Sequence, residues 1–188
     1  MTPEEFKKHL ASLSINIRKA VNNDLPKKIG VEAVRMFSQN FQQEAFFGKR
    51  WQEPLRRRIT ETKTKTGKIK YIPLGQGTAG SRKILTGTGD LGRSIQYRVE
   101  GKKVVVYSDL DYSKIHNEGG TVTVTEKMKR FFWAKYITTG QEFYKNMALK
   151  KTGSTITIPK RQFMGSHDTI NKAVKNTIET ELNKIFKI

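Results

Sequence analysis

With cysteine absent from this 188-residue chain, imidazole is the one side chain that ordinarily titrates near neutral pH and ligates transition metals, and it occurs at His9, His116 and His167. His116 has the richest surroundings, with Asp109, Asp111 and Glu118 close by in sequence. Such a set suits a divalent metal or an acid–base pair. A second histidine at ligand spacing is missing, as is a G-x-S-x-G nucleophile elbow. His116 therefore reads as a structural, hydrogen-bonding histidine beside Tyr112, the usual fate of a polar side chain near a core. Two glycine runs imitate phosphate loops. Gly87-Thr88-Gly89-Asp90-Leu91-Gly92 spells G-x-G-x-x-G, but the chain turns extended again by Gln96, too soon for the long helix of a dinucleotide fold. Gly75 to Gly80 has P-loop spacing, yet Ser81-Arg82 stands where Lys-Ser/Thr is required. The expectation is a protein that is not an enzyme, with no catalytic residues, no cofactor and no metal.

The elements around these residues are built for packing. Leu85, Leu91 and Ile95 anchor a short glycine-punctuated helical turn. Gln96 to Glu100 and Lys102 to Tyr107 then flank Gly101 as a β-hairpin. Tyr112, Ile115 and His116 follow at helical spacing, and Gly119-Gly120 ends that turn where a positive φ is needed. Thr121 to Thr125 alternates as a strand, and Thr155 to Ile158 is extended ahead of Pro159.

Helices occupy the two ends. Thr2, Pro3 and Glu5 form an N-cap, a proline at N1 and a capping-box glutamate. Phe6, Leu10, Leu13, Ile17 and Val21 then mark an amphipathic helix to about Asn23. Asn22-Asn23-Asp24 with Pro26 restarts a second helix bearing Ile29, Ala33, Phe37 and Phe41, which suggests an antiparallel pair. Glu126 to Tyr136 is helical until Gly140 breaks it, and Ser166 or Asp168 caps a last helix running from Ile170 to Phe186. The predicted class is α+β: a small, mostly antiparallel β-sheet against N- and C-terminal helices, with a long basic loop or extended hairpin. One domain over 1–188 is expected, with a helical region at 1–46, a basic flexible arm at 47–83 and an α+β body at 84–188. No apolar run approaches the roughly 20 residues of a membrane span, and the N-terminal stretch has no apolar signal region, so a soluble intracellular protein is expected.

Charge is lopsided: 36 lysines and arginines oppose 17 aspartates and glutamates, a net +19. The excess concentrates in Lys49, Arg50, Arg56, Arg57, Arg58, Lys63, Lys65, Lys68, Lys70, Arg82 and Lys83, which face only Glu53 and Glu61. Either these residues keep a surface loop solvated, or they meet DNA phosphates or an acidic neighbour. Phe131, Phe132 and Trp133 beside Arg130, together with Trp51, read as a stacking platform for single-stranded nucleic acid or, preferably, as core or subunit-interface anchors. Arg161, between Pro159 and Phe163, suits a phosphate or a bidentate salt bridge to a neighbouring subunit.

The order of these pieces resembles the phage virion-morphogenesis, or tail-completion, family, from about Phe37 to the C-terminus. The resemblance rests on an L-x-x-T/S-G-x-L-x-x-S-I turn (Leu85, Thr88, Gly89, Leu91, Ser94, Ile95), a Y-A-x-I-H-x-x-G-G segment (Tyr112, Ile115, His116, Gly119, Gly120) and an I-P-x-R-x-F-x-G segment (Ile158, Pro159, Arg161, Phe163, Gly165). Ser113, Lys160 and Gln162 depart from the residues usual in those segments. The resemblance implies a structural protein that completes the tail or neck for head–tail joining, as a homo-oligomeric ring, plausibly sixfold, around the DNA passage. Its partners would be other tail or neck proteins, with non-specific DNA contact and no membrane, first in the host cytoplasm and then in the virion. A sequence-independent nucleic-acid-binding protein using the 49–83 arm is the alternative.

Overall fold

The computed structural model describes residues 1–54, 59–63, 69–73 and 83–186, giving the backbone course for 59–63 and 69–73. Helix α1 (Pro3–Lys19) passes through a π-helical turn at Ala20–Asp24 into α2 (Leu25–Gln43). Strands β1 (Ala45–Phe46) and β2 (Lys49–Arg50) pair antiparallel, as do β3 (Ile59–Lys63) and β4 (Ile69–Pro73). A short helix, α3 (Asp90–Arg93), leads into the antiparallel pair β5 (Ile95–Glu100) and β6 (Lys103–Ser108). After α4 (Ser113–Glu118), β7 (Gly120–Thr123) pairs antiparallel with β8 (Thr155–Ile158), and α5 (Glu126–Thr139) and α6 (Glu142–Ala148) lie between them in sequence. Helix α7 is Asp168–Phe186. The class is α+β, with the strands of the described residues divided among four two-stranded ladders. The chain forms two compact units, Met1–Ser113 with Gln162–Ile188, and Lys114–Arg161. Among the described residues no helix is long and apolar enough to cross a membrane.

In the first unit the capping box forms as the sequence predicts: Thr2 N donates to Glu5 Oε2 at 2.7 Å and Glu5 N donates to Thr2 Oγ1 at 3.2 Å. The break predicted at Asn22 to Asp24 does not occur. Lys19, Ala20, Asp24 and Leu25 all keep right-handed helical dihedrals, and Leu25 N–H reaches back to the Ala20 carbonyl. Pro26 has no N–H to donate, and its ring would press on the Asn22 carbonyl in a regular α-turn. The wider π turn accommodates that ring without reversing the chain.

Helix α2 is the spine of the core. Its Ala33, Phe37 and Phe41 cluster with Phe46, Trp51, Ile84, Leu91, Ile95 and Phe163. Phe41 packs edge-on against Trp51 at 5.5 Å between centroids and tilted against Phe163 at 5.0 Å. The β5–β6 hairpin has the predicted turn at Gly101 (φ 61°), with Glu100 opposite Lys103 and Ile95 opposite Ser108. Gly30, an unpromising residue for a helix interior, lies against this hairpin: a Cβ there would stand 2.1 Å from Tyr97 Cδ2.

Helix α7 lays Ile170, Ala173, Val174 and Thr177 opposite Ile29, Ala33 and Met36 of α2, and Lys28 pairs with Glu181 across the two helices. The cap of α7 is neither Ser166 nor Asp168. His167 takes that role: its carbonyl accepts from Ile170 N at 3.0 Å and Asn171 N at 3.2 Å, and its Nδ1 accepts from Thr169 N at 3.2 Å. Its ring stacks on Phe47 at 4.7 Å, so cap and packing are one residue.

In the second unit, Gly120 pairs with Ile158 and Thr123 with Thr155. The ladder is prolonged by Val124 N to Ser154 O at 2.8 Å and Gly153 N to Val124 O at 2.9 Å. Thr125 caps α5, accepting from Met128 N at 3.2 Å, and Gly140 (φ 66°) ends it. The chain then re-enters a helix as α6, which the sequence reading missed because the glycine marked only the stop.

Gly30→Ala should lower the free energy of unfolding by about 1–3 kcal/mol through overpacking against Tyr97, although alanine is the better helix former. Placed in a Tyr97→Ala background, the same change should be neutral or stabilising. Urea denaturation of the three variants checks both outcomes.

Candidate interaction site: the anchored root of the basic arm

The basic stretch leaves and rejoins the fold at one place, the C-terminal end of α2. Glu44 ends that helix in the left-handed conformation (φ 52°), its N–H donating to the Asn40 carbonyl. Here the chain folds into the tight β1–β2 hairpin, whose central residues Phe47 (φ 46°) and Gly48 (φ 93°) are also left-handed, as a type I′ turn requires. Asn40 is buried under it: Oδ1 accepts from Phe47 N at 3.1 Å and Nδ2 donates to the Phe163 carbonyl at 3.0 Å.

Glu44 then grips both ends of the arm. Its carbonyl accepts from Trp51 N at 2.9 Å where the arm departs, and its Oε1 accepts from Ile84 N at 2.6 Å where the chain returns. Lys83 Nζ donates to the Gln42 carbonyl at 3.0 Å and to Gln42 Oε1 at 3.1 Å. Trp51 Nε1 donates to the Gln162 carbonyl at 2.7 Å, so two successive carbonyls of the I-P-K-R-Q-F-M-G segment, Gln162 and Phe163, hold the root. Between the two ends, β3 and β4 pair in antiparallel register, Ile59 opposite Pro73 and Lys63 opposite Ile69. Arg56, Arg57, Arg58, Lys65, Lys68 and Arg82 lie outside the described residues, and Lys63 and Lys70 are described in backbone course.

Three of the six residues read as subunit-interface anchors belong to the chain's own interior. Trp51 and Phe163 are 6% and 0% exposed, both in the aromatic cluster around Phe41. Arg161 is buried as well, with its backbone N–H donating to the His116 carbonyl at 2.8 Å. Phe131 and Trp133 are exposed, and Phe132 is half-buried.

The motif residues act as packing and turn positions. Leu91 and Ile95 are core, Leu85 packs against it with φ 57°, and Gly89 (φ 83°) begins α3. Ser94 Oγ bridges the Leu91 carbonyl at 2.9 Å and Ser108 Oγ at 2.6 Å. Tyr112 is exposed and Pro159 half-buried. Gly119 (φ 78°) and Gly120 (φ 156°) have the predicted positive φ, and a Cβ on Gly119 would stand 2.9 Å from Lys160 N. His116, half-buried on α4, is held below the ordinary histidine pKa of 6.5, first by burial and then by the positive charge of Arg161. Among the described residues, no three His, Asp or Glu side chains gather as a metal site would need.

Sequence reasoning missed Asn40, Glu44 and Gln42. Each is a polar residue near the end of an amphipathic helix, where solvent exposure is the ordinary outcome. The only hint was that Asn40 falls one residue before core Phe41.

Glu44→Ala leaves the N–H of buried Ile84 without its carboxylate and should cost about 1–3 kcal/mol, while Glu44→Gln, which keeps an acceptor, should cost less. Chemical denaturation reads the difference, and trypsin should cleave within 49–83 faster in the alanine variant. For His116 the sign follows from its depressed pKa. The unfolded chain binds a proton at higher pH than the folded one, so stability is full above the ordinary histidine value and falls as the solution is acidified through it. His116→Gln should flatten the change in denaturation midpoint between about pH 7.5 and about pH 5.5.

No curated protein and no solved structure matches this chain. The sequence model of the phage virion morphogenesis family matches residues 2–183. The chain belongs to the phage virion morphogenesis family.

Proposed function

We propose that this chain completes the end of the tail or neck so that a filled head can join, acting as a structural part and not as a catalyst. Subunits assemble by heterologous contacts that close into a ring, plausibly sixfold, around the DNA passage. The observation that carries this reading is the arm root in a virion-morphogenesis chain: a strongly basic stretch whose two ends are tied to one glutamate on the core. Cations fixed at such a root can screen phosphate repulsion in a passage without reading sequence. Assembly would begin in the host cytoplasm and end with the protein in the virion, bound to other tail or neck proteins.

A second reading, sequence-independent nucleic-acid binding by the 49–83 arm, is favoured by the net charge of +19. It makes DNA affinity itself the function. Arg56, Arg57 and Arg58 changed together to Gln should then lower the slope of log affinity against log salt by up to roughly 2.7, about 0.9 per phosphate contact.

Electron microscopy of particles from the parent phage with this gene deleted and restored separates the two. Filled heads beside unattached tails, rescued by the gene, are the expected result. Normally joined particles in its absence would reject the completion role and leave the DNA-binding reading.

A further inference from the structure

Helix α1 buries none of its residues. It nonetheless carries the stripe of a packed helix: at about 100° per residue, Phe6, Leu10, Leu13 and Ile17 fall within roughly 60° of arc. The sequence pattern suits a partner helix folded back on α1, but the π turn sends the chain onward into α2 and the stripe stays open. Phe6 is 52% and Leu10 47% exposed, and Leu13 and Ile17 are half-buried. Toward its C-terminal end the stripe is the wall of a groove lined by Leu10, Leu13, Ile17, Arg18, Val21 and Lys102. An apolar stripe of this kind, left in water, marks a contact surface.

The order of residues along α1 says what covers it. About a centre between Ala11 and Ser12, Phe6 mirrors Ile17, Leu10 mirrors Leu13, and Glu4 and Glu5 mirror Lys19 and Arg18. Two copies of the helix laid antiparallel therefore match apolar with apolar along the stripe and acid with base at both ends, with their dipoles opposed. Arg18 and Lys102 line the end of the groove at which Glu4 and Glu5 of the second copy arrive. Glu4, Arg18 and Lys19 are exposed, and Glu5 spends one carboxylate oxygen on the Thr2 cap. The net charge of +19 does not oppose this contact locally, because residues 1–24 hold four lysines and arginines against three acids and carry only +1 of it. A segment so nearly neutral offers nucleic acid little to bind.

We infer that α1 is a self-association surface on which the α1 of a second copy lies antiparallel, Leu10 against Leu13 of the second copy and Phe6 against its Ile17. The inference goes beyond tail completion. The contact is isologous, the same patch on both copies, and so adds a twofold link distinct from the heterologous contacts that close a ring.

Because the chain has no cysteine, single cysteines placed in it report the pairing directly. Phe6→Cys mixed with Ile17→Cys should give a cross-linked dimer on mild oxidation. Neither variant alone should link at more than about a tenth of that rate, since positions 6 and 17 stand roughly 16 Å apart along the helix axis. In sedimentation equilibrium the parent chain should form a reversible dimer, and Leu10→Ser with Leu13→Ser should raise its dissociation constant about tenfold or more with the far-UV circular dichroism unchanged. The inference is overturned if the parent stays monomeric up to about 0.5 mM, or if a folded serine variant dimerises as the parent does. Should the serine variant lose its fold, the cross-linking decides alone: cysteine variants that link to themselves as fast as to each other, or not at all, overturn the inference. A monomeric parent that binds an oligothymidylate or phosphatidylserine vesicles through Leu10 and Leu13 would give the stripe another occupant and overturn it too.

Discussion

The first unit depends on the left-handed turn at the end of α2. Glu44 and Phe47 both occupy a conformation that disfavours side chains, at a cost on the order of 1 kcal/mol each. What holds them there is a set of hydrogen bonds: Asn40 to Phe47 and Phe163, Glu44 to Trp51 and Ile84, Trp51 to Gln162. Buried donors and acceptors that would each cost about 1–3 kcal/mol if left open are thereby matched. The same bonds fix three remote stretches of chain, 44–51, 83–84 and 162–163, around one helix end. Phe41 then has Trp51 and Phe163 on its two sides, and the aromatic core can close.

The cationic surplus is not resolved inside the fold. Most of the ion pairs among the described residues are exposed neighbours three or four apart on a helix, such as Arg35 with Glu32 and Arg93 with Asp90. Pairs of that type contribute at most about 1 kcal/mol and are screened by salt. They also leave many more cations than anions, so the repulsion they fail to cancel has to be met by something outside the chain. Pairing Glu181 with both Lys184 and Lys28 holds its carboxyl below the usual range, yet that ties α7 to α2 without reducing the net charge.

Local grammar was legible in the sequence wherever the residue type alone determines the backbone. The capping box at Thr2, the turn at Gly101 and the positive φ of Gly119 and Gly120 all appear where the residues predict them. The family resemblance rested in part on Gly119 and Gly120 and agrees with the match over 2–183. What could not be read was tertiary. Trp51 reads alike as core or as interface anchor until Phe41 and Gln162 are seen beside it, and Glu44 looks like a solvated helix end until Ile84 returns to it. Pro26 looks like a helix start because a proline reads alike at a first turn and beyond a π turn. Ser166 and Asp168 are better caps by residue type than His167, but only His167 has Phe47 to lie on.

The second unit stands on a different footing from the first. Its buried apolar side chains are Val124 and Ala148, too few for a hydrophobic core of its own, so its order rests on the β7–β8 ladder, the Thr125 cap and ring contacts at the surface. Small units with so little buried area are marginal. Local bonds, and not a core, therefore set how readily this unit opens.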